Sequence, residues 1–170
     1  MGEPEIRQRR DDDLKACAEA LATVHEADRY PARWPADPGG WLTPDSMLGA
    51  WVAVEGPDVL GHAALTRTDE ALAVDAGLPA RELASVARLF VTASARRRGV
   101  AGALLAAVTK AAASRGLRAV LEVEDGGRAA MALYERAGWC RAGSRPGDWT
   151  TADGRTALLH TYVAPGSGTR

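Results

Sequence analysis

The 170-residue sequence predicts a mixed α/β sheet with helices on both faces. Two observations support this fold class. Strand-like apolar runs alternate with amphipathic helical stretches, and the chain closes on two strand-like runs around a tight turn. No internal repeat and no boundary between domains interrupts the pattern. We therefore expect residues 1–165 to form a single domain and residues 166–170 to form a flexible tail.

The first elements are a short strand and a helix. Residues 5–9 fit the strand, and the acidic run Asp11–Asp13 supplies cap and first-turn residues for a helix that extends to about Ala27. Prolines and glycines fill residues 30–41, and they break both helix and strand. This segment is therefore expected to be a long irregular loop, and loops of that length are often functional.

The middle of the chain predicts three strands. Residues 51–55 and 60–67 form two strands around a turn at residues 56–58. An acidic excursion over residues 69–82 follows, and a third strand spans residues 85–91. The acidic side chains of the excursion could attract a cationic amine, but a solvated face is the better explanation.

The last part predicts two helices and three strands. A helix begins near Val100 and ends at Gly116, because apolar residues recur along one face and glycine ends helices. A strand over residues 117–123 and a helix over residues 127–137 come next. The chain then ends with an antiparallel pair, residues 139–145 and 156–163.

Bulk composition excludes several classes of protein. The net charge of −1 gives no global attraction to nucleic acid or to a membrane surface. No apolar run approaches the length of a membrane span, and the N-terminus lacks a signal-peptide core. The spacing of Cys17 and Cys140 matches neither a metal site nor a redox motif. We expect a reduced, cytoplasmic protein that uses no metal.

A basic, glycine-containing segment after an apolar strand is the most informative feature. The first turn of a helix carries unpaired backbone N–H groups and positive dipole, and small residues let an anion approach them. The pattern predicts a pyrophosphate-binding loop. Its residues are Arg96, Arg97, Arg98, Gly99, Val100, Ala101, Gly102 and Ala103, and the strand before them ends with Leu89, Phe90 and Val91.

Two motifs in order resemble the GNAT superfamily of N-acetyltransferases. The first is Arg96-x-x-Gly99-x-Ala101 after the Leu-x-Val strand. The second is the strand Leu121–Val123 followed by Ala130-x-x-Leu133-Tyr134-Glu135-x-x-Gly138-Trp139, whose spacing is similar to that of bacterial ribosomal-protein N-terminal acetyltransferases. The resemblance implies a GNAT fold with a mostly antiparallel sheet. It also implies direct acetyl transfer from acetyl-CoA to a primary amine.

The resemblance assigns roles to individual residues. The backbones of Leu89 and Val91 would pair with the pantetheine arm and polarise the thioester carbonyl. Tyr134 would protonate the leaving thiolate, and Glu122 would act as the base. Gly127 and Ala130 join the acetyl-CoA contacts, although the family usually has asparagine at the position of Gly127.

Each role has a simpler alternative. Tyr134 could only pack, and Glu122 could be a solvated strand residue. Trp34 and Trp41 in the long loop could line an acceptor pocket or cover the core. The three arginines could form a nucleic-acid patch, but no interleaved aromatic residues support one, so we expect no nucleic-acid partner.

Two further questions stay open. The acceptor amine could belong to a small molecule or to a protein N-terminus, and the chain could form a homodimer. A different class of function is a GNAT-fold module that binds acyl-CoA as a sensor without turnover. The intact pair of Tyr134 and Glu122 argues against this class, and Gly127 argues weakly for it.

Overall fold

A computed structural model describes residues 3–166 of the chain. Short 3₁₀ helices lie at Asp11–Asp13, Ala80–Glu82 and Ala93–Ala95. Most of the predicted tail, residues 167–170, lies outside the described residues. The helices and strands in chain order are β1 (Glu5–Gln8), α1 (Leu14–Asp28), α2 (Pro38–Trp41), β2 (Met47–Glu55), β3 (Asp58–Arg67), α3 (Glu70–Ala76), β4 (Leu83–Val91), α4 (Val100–Ser114), β5 (Arg118–Glu124), α5 (Arg128–Arg136), β6 (Cys140–Thr150) and β7 (Thr156–Val163).

The strands form one sheet in the order β1-β2-β3-β4-β5-β7-β6. Strand β4 runs parallel to β5, whereas the pairs β1–β2, β2–β3, β5–β7 and β6–β7 are antiparallel. The parallel pairing covers Leu83–Ser85 and Arg118–Val120. The predicted fold class, a mixed and mostly antiparallel sheet with helices, is confirmed.

The chain divides into two compact units. The first unit holds the residues up to Thr66 together with Val86–Lys110, and the second holds Arg67–Ser85 together with the residues from Ala111 onward. Strand β4 and helix α4 each contribute to both units. The prediction that residues 1–165 form a single domain remains a prediction.

Helix α1 builds the core of the first unit. Its apolar residues recur at helical spacing, so Cys17, Leu21 and Val24 lie on one face and are buried. They belong to the same apolar cluster as Val52 of β2 and Phe90 of β4. A fully buried leucine such as Leu21 contributes about 1.5–3 kcal/mol through its removal from water.

In the second unit, helices α3 and α5 lie on opposite faces of the sheet. Gly143 pairs with Thr161, and a Cβ on Gly143 would lie 2.8 Å from the carbonyl oxygen of Asp75 in α3. Successive strand residues face opposite sides, so Tyr162 faces away from α3. Its ring lies 5.7 Å from the ring of Tyr134 in α5. Helices on both faces, as predicted, are therefore present within this unit.

Two segments differ from the sequence prediction. The prediction that residues 30–41 form only irregular structure was wrong for the last four residues, which form helix α2. Proline is tolerated in a first helical turn, and the Asp37 carboxylate accepts a hydrogen bond from the Gly40 N–H at 3.1 Å. Helix α3 was missed inside the acidic excursion, although Asp69 caps it by accepting from the Leu72 N–H at 2.8 Å. Its seven residues are too few to show helical periodicity.

Two further properties concern membranes and metals. Among residues 3–166, none of the helices combines the length and apolar character needed to cross a bilayer. The same residues contain no group of three or more His, Cys, Asp or Glu side chains placed to hold a metal ion.

Candidate active site

The segment before α4 forms an open turn that ends at the positive end of a helix. Gly99 has a φ of +76° and its carbonyl accepts from the Ala103 N–H at 3.0 Å. A Cβ at Gly99 would meet no atom of residues 3–166 within 4 Å. The N–H groups of the first helical turn have no acceptor inside the helix. The turn therefore offers backbone donors that an anion can reach.

The three arginines of this turn differ in their partners. Arg96 pairs with the Asp28 carboxylate and also donates to the Val91 carbonyl oxygen at 3.1 Å. Arg98 pairs with Glu55 at 2.7 Å, and its guanidinium holds the pKa of that carboxyl below its usual range. Arg97 is exposed and has no partner among residues 3–166. Exposed ion pairs are weak, so an anion could replace the carboxylates.

Strand β4 carries the Leu-x-Val motif at its end. The side chain of Phe90 is buried in the core of the first unit, and its ring stacks on His62 with centroids 5.5 Å apart. Leu89 and Val91 alternate with it and are half-buried. The pairing of β4 with β5 covers Leu83–Ser85, so the motif lies beyond the paired residues. The proposed use of the Leu89 and Val91 backbones remains a prediction.

A buried histidine links β4 to the N-terminus of the chain. The His62 ring is fully buried, with Nδ1 2.9 Å from the Arg88 carbonyl oxygen and Nε2 2.9 Å from Nη1 of Arg9. An arginine only donates and a carbonyl only accepts, so neutral His62 protonated at Nδ1 satisfies both contacts. Burial lowers the pKa of His62 to about 4, which keeps the ring neutral near pH 7.

The aromatic residues of the long loop separate into two environments. Trp41 and Tyr30 pack against the core of the first unit, with their rings edge-on and centroids 6.0 Å apart. Trp34 is 36% exposed and lies 5.4 Å from the His25 ring. Trp41 thus covers the core, and the guanidinium carbon of Arg88 lies 4.1 Å from its ring centroid.

Tyr134, the predicted acid, lies in α5 within the second unit. It is 6% exposed, and its ring packs 6.0 Å from Trp139 and 5.7 Å from Tyr162. The ring therefore has a packing role whatever its hydroxyl does. A change from tyrosine to phenylalanine keeps that packing, which makes the role of the hydroxyl testable by itself.

Glu122, the predicted base, lies in a small network of charges. It pairs with Arg145, which also binds Asp75 of α3 through Nε at 2.7 Å. Burial and the nearby carboxylates of Asp69 and Asp75 raise the pKa of Glu122, although Arg145 opposes the change. A raised pKa strengthens a carboxylate as a base. The solvated alternative is only partly correct, because the side chain is 29% exposed and paired.

Glu122 and Tyr134 lie on opposite faces of the sheet in the second unit. Glu122 pairs in register with Thr161, on the α3 face. Tyr134 packs on Tyr162, which faces the other way. The two candidates therefore cannot exchange a proton directly, and each would serve a different atom of the reaction.

Gly127 shows why this chain departs from the usual asparagine. It precedes α5, and its N–H donates to the Glu124 carbonyl oxygen at 2.8 Å. A Cβ there would lie 2.9 Å from Cγ2 of Val123 and 3.2 Å from the same carbonyl oxygen. A larger side chain would therefore have to displace its neighbours. Ala130, one helical turn later, is half-buried.

Sequence reasoning missed two polar clusters in the second unit. In the first, the Tyr162 hydroxyl donates to Glu135 at 2.7 Å and accepts from Arg141 at 3.2 Å. In the second, buried His160 bridges the Ser144 hydroxyl and the Asp125 carboxylate, with both distances 2.7 Å. The partners of each cluster lie far apart in the chain, so no local spacing indicated either.

Comparison with known proteins places this geometry among acetyltransferases. The sequence profile described as "Acetyltransferase (GNAT) family" matches residues 11–139. Solved structures with the same fold include the ribosomal-protein-S18-alanine N-acetyltransferase of Escherichia coli, at 20% identity and a TM-score of 0.69, with 98% of this chain and 99% of that chain covered. The comparison of the sequence with curated proteins returns no match.

Two further solved structures cover nearly the whole chain. Arabidopsis thaliana NAA60 in complex with a bisubstrate analogue is 19% identical, with a TM-score of 0.72 and coverage of 96% of this chain and 99% of that chain. The protein yncA of Salmonella typhimurium, solved with acetyl-CoA as its cofactor, is 18% identical with a TM-score of 0.73, and 99% of this chain and 97% of that chain are covered. At these identities the likeness shows the fold.

Proposed function

Because the chain belongs to the GNAT acetyltransferase family, we propose that it is an acetyl-CoA-dependent N-acetyltransferase acting on a primary amine of a small molecule or peptide. The observation that carries this proposal is the open turn at Gly99 before α4. Backbone N–H groups at a helix start bind phosphate oxygens, and a glycine there leaves room for them. Arg97 adds a positive charge that no described carboxylate neutralises.

The residues of this chain can divide the chemistry of acetyl transfer. The end of β4 supplies backbone donors that would stabilise the oxyanion formed when the amine attacks the thioester carbonyl. Tyr134 would give its proton to the departing thiolate. Glu122 would accept the proton that the amine loses, directly or through water, and its raised pKa suits it to that task. Because Glu122 and Tyr134 lie on opposite faces of the sheet, each would handle a different proton: Glu122 that of the amine and Tyr134 that of the thiolate.

The solved neighbours support an amine as acceptor without naming it for this chain. One is described as acting on the alanine of a ribosomal protein, and another was solved with a bisubstrate analogue. The similar spacing of Glu122 and Tyr134 favours a peptide amine. The loop of residues 30–41 favours a small molecule, because it carries Tyr30 and Trp41 and places the Trp41 ring against the guanidinium of Arg88 in β4.

Binding and turnover test the proposal in two steps. At about 100 times its Kd, acetyl-CoA should stabilise the fold by about 2.7 kcal/mol and raise the melting temperature. Release of free thiol with a panel of amines then measures turnover. In that assay Glu122→Gln should lower turnover most at low pH, whereas Glu124→Gln, its neighbour on the same strand, should act as a control. An unmoved melting curve at saturating acetyl-CoA would contradict the proposal.

A second candidate function rests on Gly127. Where the family usually has an asparagine, this chain has no side chain, and the packing of Val123 leaves no space for one. That observation favours a module that binds acyl-CoA without catalysing transfer. The two candidates differ in one result: a sensor binds acetyl-CoA but releases no thiol above the rate of spontaneous hydrolysis with any amine in the panel.

A further inference from the structure

Arg88 has an unusual backbone conformation that the first unit holds in place. Its φ of +54° lies in the left-handed region, which is rare for a residue with a side chain. Its carbonyl oxygen accepts from Nδ1 of the fully buried His62 at 2.9 Å. His62 is itself held by Arg9. This chain of contacts fixes the point from which the Arg88 side chain leaves β4.

The guanidinium of Arg88 is also held in place. Its Nε donates to the Trp41 carbonyl oxygen at 2.9 Å, and its Cζ lies 4.1 Å from the centroid of the Trp41 ring. A cation above an indole ring is attracted by the negative face of that ring. The plane of the guanidinium is therefore oriented before any ligand binds.

Arg88 has no carboxylate partner among residues 3–166, and its terminal nitrogens have no protein acceptor there. It is half-buried, and burial lowers its pKa from the usual value. An unpaired charge that is partly removed from water is costly. Several other arginines of the chain, by contrast, have carboxylate partners. These are Arg7, Arg96, Arg98 and Arg145.

A second donor lies beside this one. Tyr30 packs edge-on to Trp41, and its hydroxyl has no hydrogen-bond partner among the described residues. Burial raises the pKa of Tyr30 to about 12, and the nearby charge of Arg88 opposes this rise. The phenol is therefore protonated at neutral pH and can donate. Two donors without hydrogen-bond partners, close enough to interact electrostatically, match the oxygens of an anion.

We propose that Arg88, held over the Trp41 ring and assisted by the nearby Tyr30 hydroxyl, binds an oxyanion carried by the acceptor amine. The acceptor is then an amino-acid-like molecule, an amine with a carboxylate or phosphonate group, and not a polyamine. This inference rests on the proposed function, in which Leu89, the next residue after Arg88, polarises the thioester. The anion would be held next to the strand that presents the reacting carbonyl.

Matched acceptor pairs test the inference on the wild-type protein. The panel contains L-α-amino acids, their carboxamides, aminoalkylphosphonates, and peptides with acidic or neutral side chains near a free N-terminus. The Arg88 guanidinium can form two charge-assisted hydrogen bonds with a carboxylate but not with a carboxamide. We therefore expect kcat/KM to be about 10- to 100-fold higher for the carboxylate of each pair. The carboxylate could belong to a free amino acid or to an acidic side chain of a peptide. A higher kcat/KM for free amino acids or for acidic peptides tells these two sources apart.

Variants identify the residue responsible. Arg88→Met should remove the preference for carboxylate over carboxamide, and Arg88→Lys should restore part of it. Arg33→Met changes an exposed arginine in the loop of residues 30–41, which also carries Tyr30, and should leave the preference unchanged. Tyr30→Phe keeps the ring and should reduce the preference several-fold, so the test stands even if Arg88→Met fails to fold.

Two outcomes would overturn the inference. One is equal or better turnover of carboxamides by the wild-type protein. The other is bound acetyl-CoA, seen by calorimetry, with no turnover of any carboxylate or phosphonate in the panel. Failure of acetyl-CoA to bind at all would instead contradict the proposed function, so the two failures are distinguishable.

Discussion

Lowering the pH should destabilise the protein through His62. The ring is buried and neutral, and burial lowers its pKa from 6.5 to about 4. The unfolded state therefore binds a proton at a higher pH than the folded state does. The stability that depends on the neutral ring is complete above pH 6.5, falls as the pH drops below 6.5, and is lost near pH 4.

The size of the effect follows from these two pKa values. At pH 5 the difference in protonation between the two states corresponds to a loss of about 2 kcal/mol, and the full shift corresponds to about 3 kcal/mol. A loss of that size is a large fraction of the stability of an ordinary domain. Asp13, whose pKa is lowered to about 2, loses its contribution only at more acidic pH and does not interfere in this window.

Urea unfolding at pH 7 and pH 5 measures the effect, with His62→Gln as the comparison. The glutamine amide can donate to the Arg88 carbonyl and accept from Arg9, but it does not titrate. The free energy of unfolding should fall by about 2 kcal/mol more in the wild type than in the variant between the two pH values. Equal losses in both proteins, with similar m-values, would refute the assignment of a buried neutral histidine.

Three substitutions test the site. Gly99→Asp should weaken acetyl-CoA binding more than Arg97→Ala in calorimetry, because it places a negative charge where phosphate would meet backbone; equal losses would indicate a purely electrostatic patch. Tyr134→Phe should lower turnover about 10²-fold or more with little change in acetyl-CoA affinity. Near-native turnover would show that Tyr134 only packs and does not act as the acid. Gly127→Asn should cost about 1–3 kcal/mol in urea unfolding, unlike Gly39→Asn, where an added Cβ would make only an ordinary contact at 3.7 Å, and equal stabilities would contradict the crowding.

The sequence alone was enough to predict the turn at Gly99 before α4 and the order of the longer elements around it. These features depend on local signals. Gly99 has the positive φ that glycine favours, and α4 shows an apolar face along its whole length. The hydrophobic pattern also predicted a helix at Tyr134 and a strand at Glu122, and the structure confirms both elements. The pyrophosphate-binding role was inferred from the loop pattern and the catalytic roles from the family resemblance, and all of these roles remain predictions.

Two short helices escaped the sequence patterns. Helix α3 has seven residues, and α2 has four with proline at its start, so neither repeats often enough to show a period. Their formation depends on Asp69 and Asp37, whose carboxylates cap the first turn. Capping is a local interaction, but the same residue types are equally common in loops.

The sequence by itself determined which residues are apolar, which backbone positions need glycine, and therefore where strand β4 leads into the start of helix α4. Only the tertiary structure decided the partners of the charged side chains. Arg88 lies over Trp41, 47 residues away in the chain, and Glu122 is tied to Asp75 through Arg145. Periodicity reports the face on which a side chain lies, but the partner on that face is chosen by sheet register and by packing between distant segments. The inference about the acceptor rests on the unpaired charge of Arg88. Only the tertiary structure shows that this charge has no carboxylate partner among residues 3–166.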